Sequence, residues 1–130
     1  FTVTNKDIYS AAWLDQSDYL TLNQGESGSS WVEFVNNGTA SWEKEGVNAI
    51  HLGTNNPQDR ASSFFDAKTW LNNNRIGLEQ TEVLPGTVGR FSFGVMAKNL
   101  GTFTEYFRPI VENKEWLKDQ GVFLRYTVTK

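Results

Sequence analysis

Cysteine is absent from the chain and histidine occurs once, at His51. The first absence excludes a disulfide framework, a cysteine-based zinc site and a thiolate nucleophile. A single histidine leaves too few nitrogen ligands for a zinc site. It also makes a Ser-His-Asp triad depend on one residue, and no Gly-x-Ser-x-Gly elbow presents a serine to it. Positive charge is sparse as well: 12 Lys and Arg against 15 Asp and Glu leave a net charge of -3. The basic residues are scattered, so a phosphate backbone finds no clustered surface, and nucleic acid is not an expected partner. Long apolar runs are missing, and membrane insertion is not expected. Helical periodicity is nearly absent.

Some local patterns fall short of function in the same way. The acids of Asp15-Gln16-Ser17-Asp18 form a loose cluster without the spacing of an EF-hand loop. Gly86-Thr87-Val88-Gly89 follows a Pro turn and opens a strand, not a helix, so it does not cradle phosphate. No metal site and no cofactor are expected.

Aromatic residues are plentiful: nine Phe, five Trp and four Tyr in 130 residues. Each ring buries roughly 150–250 Å². One core can therefore form from few aliphatic residues, and the length suits a single domain over residues 1–130. The chain begins at Phe1, not Met, and is expected to be a piece excised from a longer protein.

Period-two alternation runs through most of the sequence. Phe91, Phe93, Val95 and Ala97 alternate with Ser92, Gly94 and Met96. Val122, Leu124, Tyr126 and Val128 do the same near the end, and Val32 and Phe34 earlier. Phe103, Phe107 and Val111 share one parity in a long run, and Ile50 and Leu52 flank His51, which is expected to point outward. Tyr9 to Asp15 and Tyr19 to Leu22 complete the strands. Gln24-Gly25, Asn37-Gly38, Glu45-Gly46, Pro85-Gly86 and Asn99-Leu100-Gly101 supply the turns. Asn37-Gly38-Thr39 also matches an N-glycosylation acceptor, read here as a turn without a glycan. Such spacing predicts an all-β chain of seven to nine strands arranged as an antiparallel β-sandwich. Residues 53–74 break the pattern and predict a long connection. Within it, Ser62 to Asn72 reads as a strand with an irregular connection or a single turn.

Specific residues carry a resemblance. Trp31-Val32-Glu33-Phe34-Val35-Asn36-Asn37-Gly38-Thr39-Ala40-Ser41-Trp42 resembles the V-x-F-x-N-x-G-x-x-x-W signature of four-tryptophan immunoglobulin-like domains. Val83-Leu84-Pro85-Gly86-Thr87 before one strand and Asn99-Leu100-Gly101-Thr102-Phe103 at the start of another are similar to turns of bacterial Ig-like surface modules. Leu52-Gly53-Thr54, Asp59-Arg60, Glu105-Tyr106-Phe107-Arg108-Pro109, Trp116, Asp119 and Gly121 fit the bacterial version. The resemblance covers about Tyr9 to Val128. It implies an immunoglobulin-like sandwich, a bacterial extracellular or cell-surface location, and tryptophans that mostly pack, as expected for Trp13, Trp31 and Trp42. One departure is Phe103, which lacks the hydroxyl that a corner tyrosine would use.

The expected function is a non-catalytic structural or interaction module with protein or cell-wall polysaccharide as partner. A carbohydrate-binding module using exposed Trp is the alternative, and an intracellular cargo- or protein-binding domain, as in selective-autophagy receptors, is a third. Enzymatic pairs such as Glu105 and Glu112 lie an odd number of residues apart on one strand and face opposite ways. Glu105 is expected to pair with Arg108. The candidate ligand-binding residues are Trp70, Trp116, Asp59, Arg60 and Arg75, because rings beside amides and charges suit a pyranose. In the competing reading Trp70 and Trp116 plug the fold, and Asp59 and Arg60 brace a loop.

Overall fold

The computed structural model describes residues 7–130, so the first six positions of the expected 1–130 domain lie outside the described residues. Among the described residues the chain is all-β, with eleven strands and no helix. β1 (Ala11–Gln16), β3 (Ser27–Asn36) and β8 (Val88–Met96) form one antiparallel sheet in the order β1-β3-β8. The larger sheet runs β2-β11-β9-β5-β6. It comprises β2 (Leu20–Asn23), β5 (Ile50–Asn55), β6 (Arg75–Gly77), β9 (Gly101–Val111) and β11 (Phe123–Thr129), with β10 (Glu115–Trp116) paired to β9. β4 (Trp42–Glu43) and β7 (Glu82–Val83) make a small ribbon. All pairs are antiparallel except β2 with β11. The first segment thus serves both sheets: β1 pairs with β3, then the chain crosses and β2 joins β11.

The sandwich-like core follows from the alternation. Val32 and Phe34 of β3 and Phe91, Phe93 and Val95 of β8 are buried from one sheet. Ile50 and Leu52 of β5, Phe107 and Val111 of β9, and Leu124, Tyr126 and Val128 of β11 are buried from the other. Phe93 and Phe107 meet across the gap at 5.4 Å between centroids. Tyr126 spans it with its hydroxyl, which lies 2.8 Å from Ser30 Oγ, so a buried polar group is satisfied within the core. Burial drives the Tyr126 hydroxyl well above the usual tyrosine range, partly offset by Ser30.

The Asn36–Trp42 segment shows why its residues recur together. Buried Asn36 donates Nδ2 to the carbonyls of Ala40 and Val83, and its Oδ1 accepts from Gly38 N. Gly38 sits beneath the Ile8 backbone, where a Cβ would run into the Ile8 carbonyl. Trp42 is fully buried; its ring lies where a Cβ on Gly89 would come within 2.8 Å.

Residues 56–74 between β5 and β6 form neither the strand with an irregular connection nor the single turn expected over Ser62 to Asn72. The segment turns repeatedly instead, with Phe65 N bonded to Ser62 O and Trp70 N to Asp66 O. Only the Asn72–Arg75 bridge is strand-like. Its apolar side chains are spaced by these turns, not by a pleat, so Phe64 and Trp70 both drop into the core.

Candidate functional site

The five residues singled out from the sequence divide three ways. Trp70 is 5% exposed, and its indole N–H donates to Gly94 O at 2.7 Å. Its ring contacts those of Phe65, Phe93 and Phe107 edge-on, so it offers no face to a ligand. Arg60 is a brace. It donates to Asn55 O, to Tyr106 O and, at 3.0 Å, to Glu105 Oε1. Glu105, buried on β9, also accepts from Ser62 Oγ at 2.6 Å, so its partner is Arg60 and not Arg108. Arg108 instead donates to the Leu117 carbonyl.

Asp59, Arg75 and Trp116 do come together. Arg75 donates to Asp59 Oδ1 at 2.5 Å, to Asn74 O at 2.9 Å and to Glu112 Oε2 at 2.8 Å. Glu112 Oε2 is shared with His51 Nδ1 at 2.7 Å; His51 points outward, opposite Ile50 and Leu52. The guanidinium carbons of Arg75 and Arg108 lie 5.1 and 5.8 Å from the Trp116 ring centroid. Gly53 lies under the same ring, where a Cβ would come within 2.6 Å. The network joins the 56–74 connection to the large sheet, and its charges answer one another. Trp116 also lines a polar depression of about 460 Å³ with Tyr9, Asn37 and Lys118, but neighbouring side chains already occupy its ring.

The open concavity lies elsewhere, where β1 of the small sheet faces the start of β11 in the large one. It measures about 680 Å³, and Trp13, Asp15 and Gln16 on β1, Asp18 and Tyr19 after it, and Phe123 on β11 define its walls. Trp13 is 45% and Tyr19 49% exposed. The Tyr19 and Phe123 rings stack at 6.0 Å between centroids, with an interplanar angle of 24°.

Interlocking amides hold this cleft open. Gln16 accepts from the Trp13 indole N–H at 3.0 Å and donates to Phe123 O at 2.8 Å, tying β1 to β11. Gln120 accepts from Trp13 N and donates to Ala11 O, both at 2.9 Å, completing the edge of β1 as a neighbouring strand would. The register of β1 shifts between Trp13 and Asp15. β1 is the outer strand of its sheet, so Trp13, although in register with Phe34, stands at the mouth of the fold and not within it. Trp13 therefore departs from the packing role expected of it. Trp31 is covered by Arg90, whose guanidinium carbon lies 4.1 Å from its ring centroid. The available signal was chemical: Trp13 and Tyr19 bracket Asp15-Gln16-Ser17-Asp18, a polar tract flanked by rings.

A comparison with protein-family models finds no match, and no curated protein matches the sequence significantly.

Proposed function

We propose that the domain is a non-catalytic interaction module of a bacterial secreted or cell-surface protein, and that it contacts cell-wall polysaccharide through the Trp13–Tyr19 cleft. The observation that carries this reading is a preformed concavity with two aromatic side chains nearly half exposed at its walls. Its size falls within the range of roughly 300–1,000 Å³ usual for small-ligand sites. Exposed rings offer apolar faces to the C–H groups of a pyranose, and adjacent carboxylates accept from its hydroxyls. Gln16 and Gln120 hold the walls before any ligand arrives, which lowers the ordering cost of binding.

An immunoglobulin-like four-tryptophan architecture fits the same reading. Its support is the partition of strands, with β1, β3 and β8 on one side and β5, β9 and β11 on the other, together with the Asn36-centred turn that seats Trp42. The acids weighed for hydrolysis, Glu105 and Glu112, are held by Arg60 and Ser62 and by Arg75 and His51 respectively.

Co-sedimentation with insoluble cell-wall polysaccharide tests the proposal. Wild type and Trp116→Phe are expected in the pellet, with Trp13→Ala and Tyr19→Ala in the supernatant. Retention of both cleft variants alongside loss of Trp116→Phe would move the site to the Arg75–Trp116 cluster.

A further inference from the structure

The charged side chains that line the cleft are of one sign, and this selects among polysaccharides. The Trp13 indole N–H is bonded to Gln16, and one N–H of each amide is bonded within the protein, Gln16 Nε2 to Phe123 O and Gln120 Nε2 to Ala11 O. Ser17 Oγ is engaged with the Trp31 backbone. Of the acids, Asp15 uses Oδ1 to accept from Gln16 N, which leaves Oδ2 for a ligand. The carboxylate of Asp18 stands at the cleft beside Tyr19. No Lys or Arg lines the cavity. The Arg125 guanidinium rests against the rings of Tyr19 and Phe123, at 5.7 and 5.4 Å from their centroids.

The cleft thus presents acceptors, negative charge and an exposed aromatic face. Resting on the polysaccharide reading above, we infer that its ligand is a cationic amino sugar chain, one carrying free amines in place of acetamido groups. An ammonium satisfies Asp15 and Asp18 by charge and hydrogen bonding together. Its attached ring lies against Trp13, where a cation gains further from the π face. An acetamido group carries no charge for either carboxylate to pair with. Uronic acids and phosphate-bearing polymers would meet two carboxylates, a like-charge juxtaposition that disfavours them.

Calorimetric titration of the intact domain with glucosamine oligomers, N-acetylglucosamine oligomers of equal length and neutral glucan oligomers separates the outcomes. The glucosamine oligomer is expected to bind at least about tenfold more tightly than the other two, or roughly 1.4 kcal/mol. Asp18→Asn and Asp15→Asn should each erase most of that preference while weakening the neutral glucan little, and added salt should do the same. Equal or tighter binding of the acetylated or neutral chains overturns the inference and leaves the polysaccharide reading standing. No binding of any oligomer overturns both. An oligolysine peptide that binds as tightly as the glucosamine oligomer, and also depends on Trp13, overturns the sugar assignment in favour of a basic peptide.

Discussion

Replacing Trp70 with alanine removes a ring packed among Phe65, Phe93 and Phe107 and a buried hydrogen bond to Gly94. A loss of about 3–5 kcal/mol is expected, measured by urea unfolding. Trp13→Ala, at a half-exposed position, should stay within about 0.5 kcal/mol of wild type in the same experiment. The two residues are chemically identical in sequence, and their roles were legible only in part. Trp70, followed by Leu71 and three asparagines, reads as either a plug of the fold or a ligand platform, and turns from Asp66 rotate it inward. Trp13 shares parity with buried Ala11 and reads as packing, yet β1 is the outer strand of its sheet and leaves the ring half-exposed. Gly38 illustrates the opposite case: the Asn-Gly pair announced a turn, but the glycine is required because the Ile8 backbone crosses it closely. Gly38→Ala is expected to cost about 1–3 kcal/mol, as overpacking against rigid backbone does, with the same unfolding curve as readout.

Long strands were legible because one buried face imposes period two; β3, β8, β9 and β11 all lie where the alternation puts them. The two- and three-residue strands β4, β6, β7 and β10 are too short to show a period and went unseen. The 56–74 connection was legible as irregular, but not the buried acid that receives it. Glu105 shares parity with Phe103 and Phe107, so it faces the core, and only the returning connection supplies Arg60 and Ser62 to hold it. Glu105→Ala should leave the Arg60 guanidinium unpaired, costing about 3–5 kcal/mol. Limited proteolysis should then cut first within residues 56–74. The β4–β7 ribbon carries a different liability. Glu43 faces Glu82 directly, and the hydrogen bond between them, with lesser contributions from desolvation and like charge, raises Glu43 above its ordinary 4.5. The folded chain therefore holds that proton more tightly than the unfolded chain, and stability falls as pH rises from about 4.5 through the raised value. Glu82→Gln should raise Tm at neutral pH, and the gain should vanish below about pH 4.5, as thermal melts across pH would show.

At the scale of the molecule, two sheets share one aromatic core, and one edge between them is held ajar by glutamine side chains. The Arg75–Trp116 cluster that composition made conspicuous is a closed network in which each charge has its partner. The cleft drew less attention in the sequence because its walls come from segments about 107 residues apart, as the Gln16–Phe123 bond records. Chain-local patterns cannot reveal such a juxtaposition, which depends on β1 and β11 belonging to different sheets. The most direct test of the central claim is tryptophan quenching by iodide, with and without soluble cell-wall polysaccharide. The polysaccharide is expected to protect one accessible tryptophan, and Trp13→Phe to remove the protected signal. Protection that persists unchanged in Trp13→Phe, or a wild type whose quenching the polysaccharide never alters, would contradict the claim.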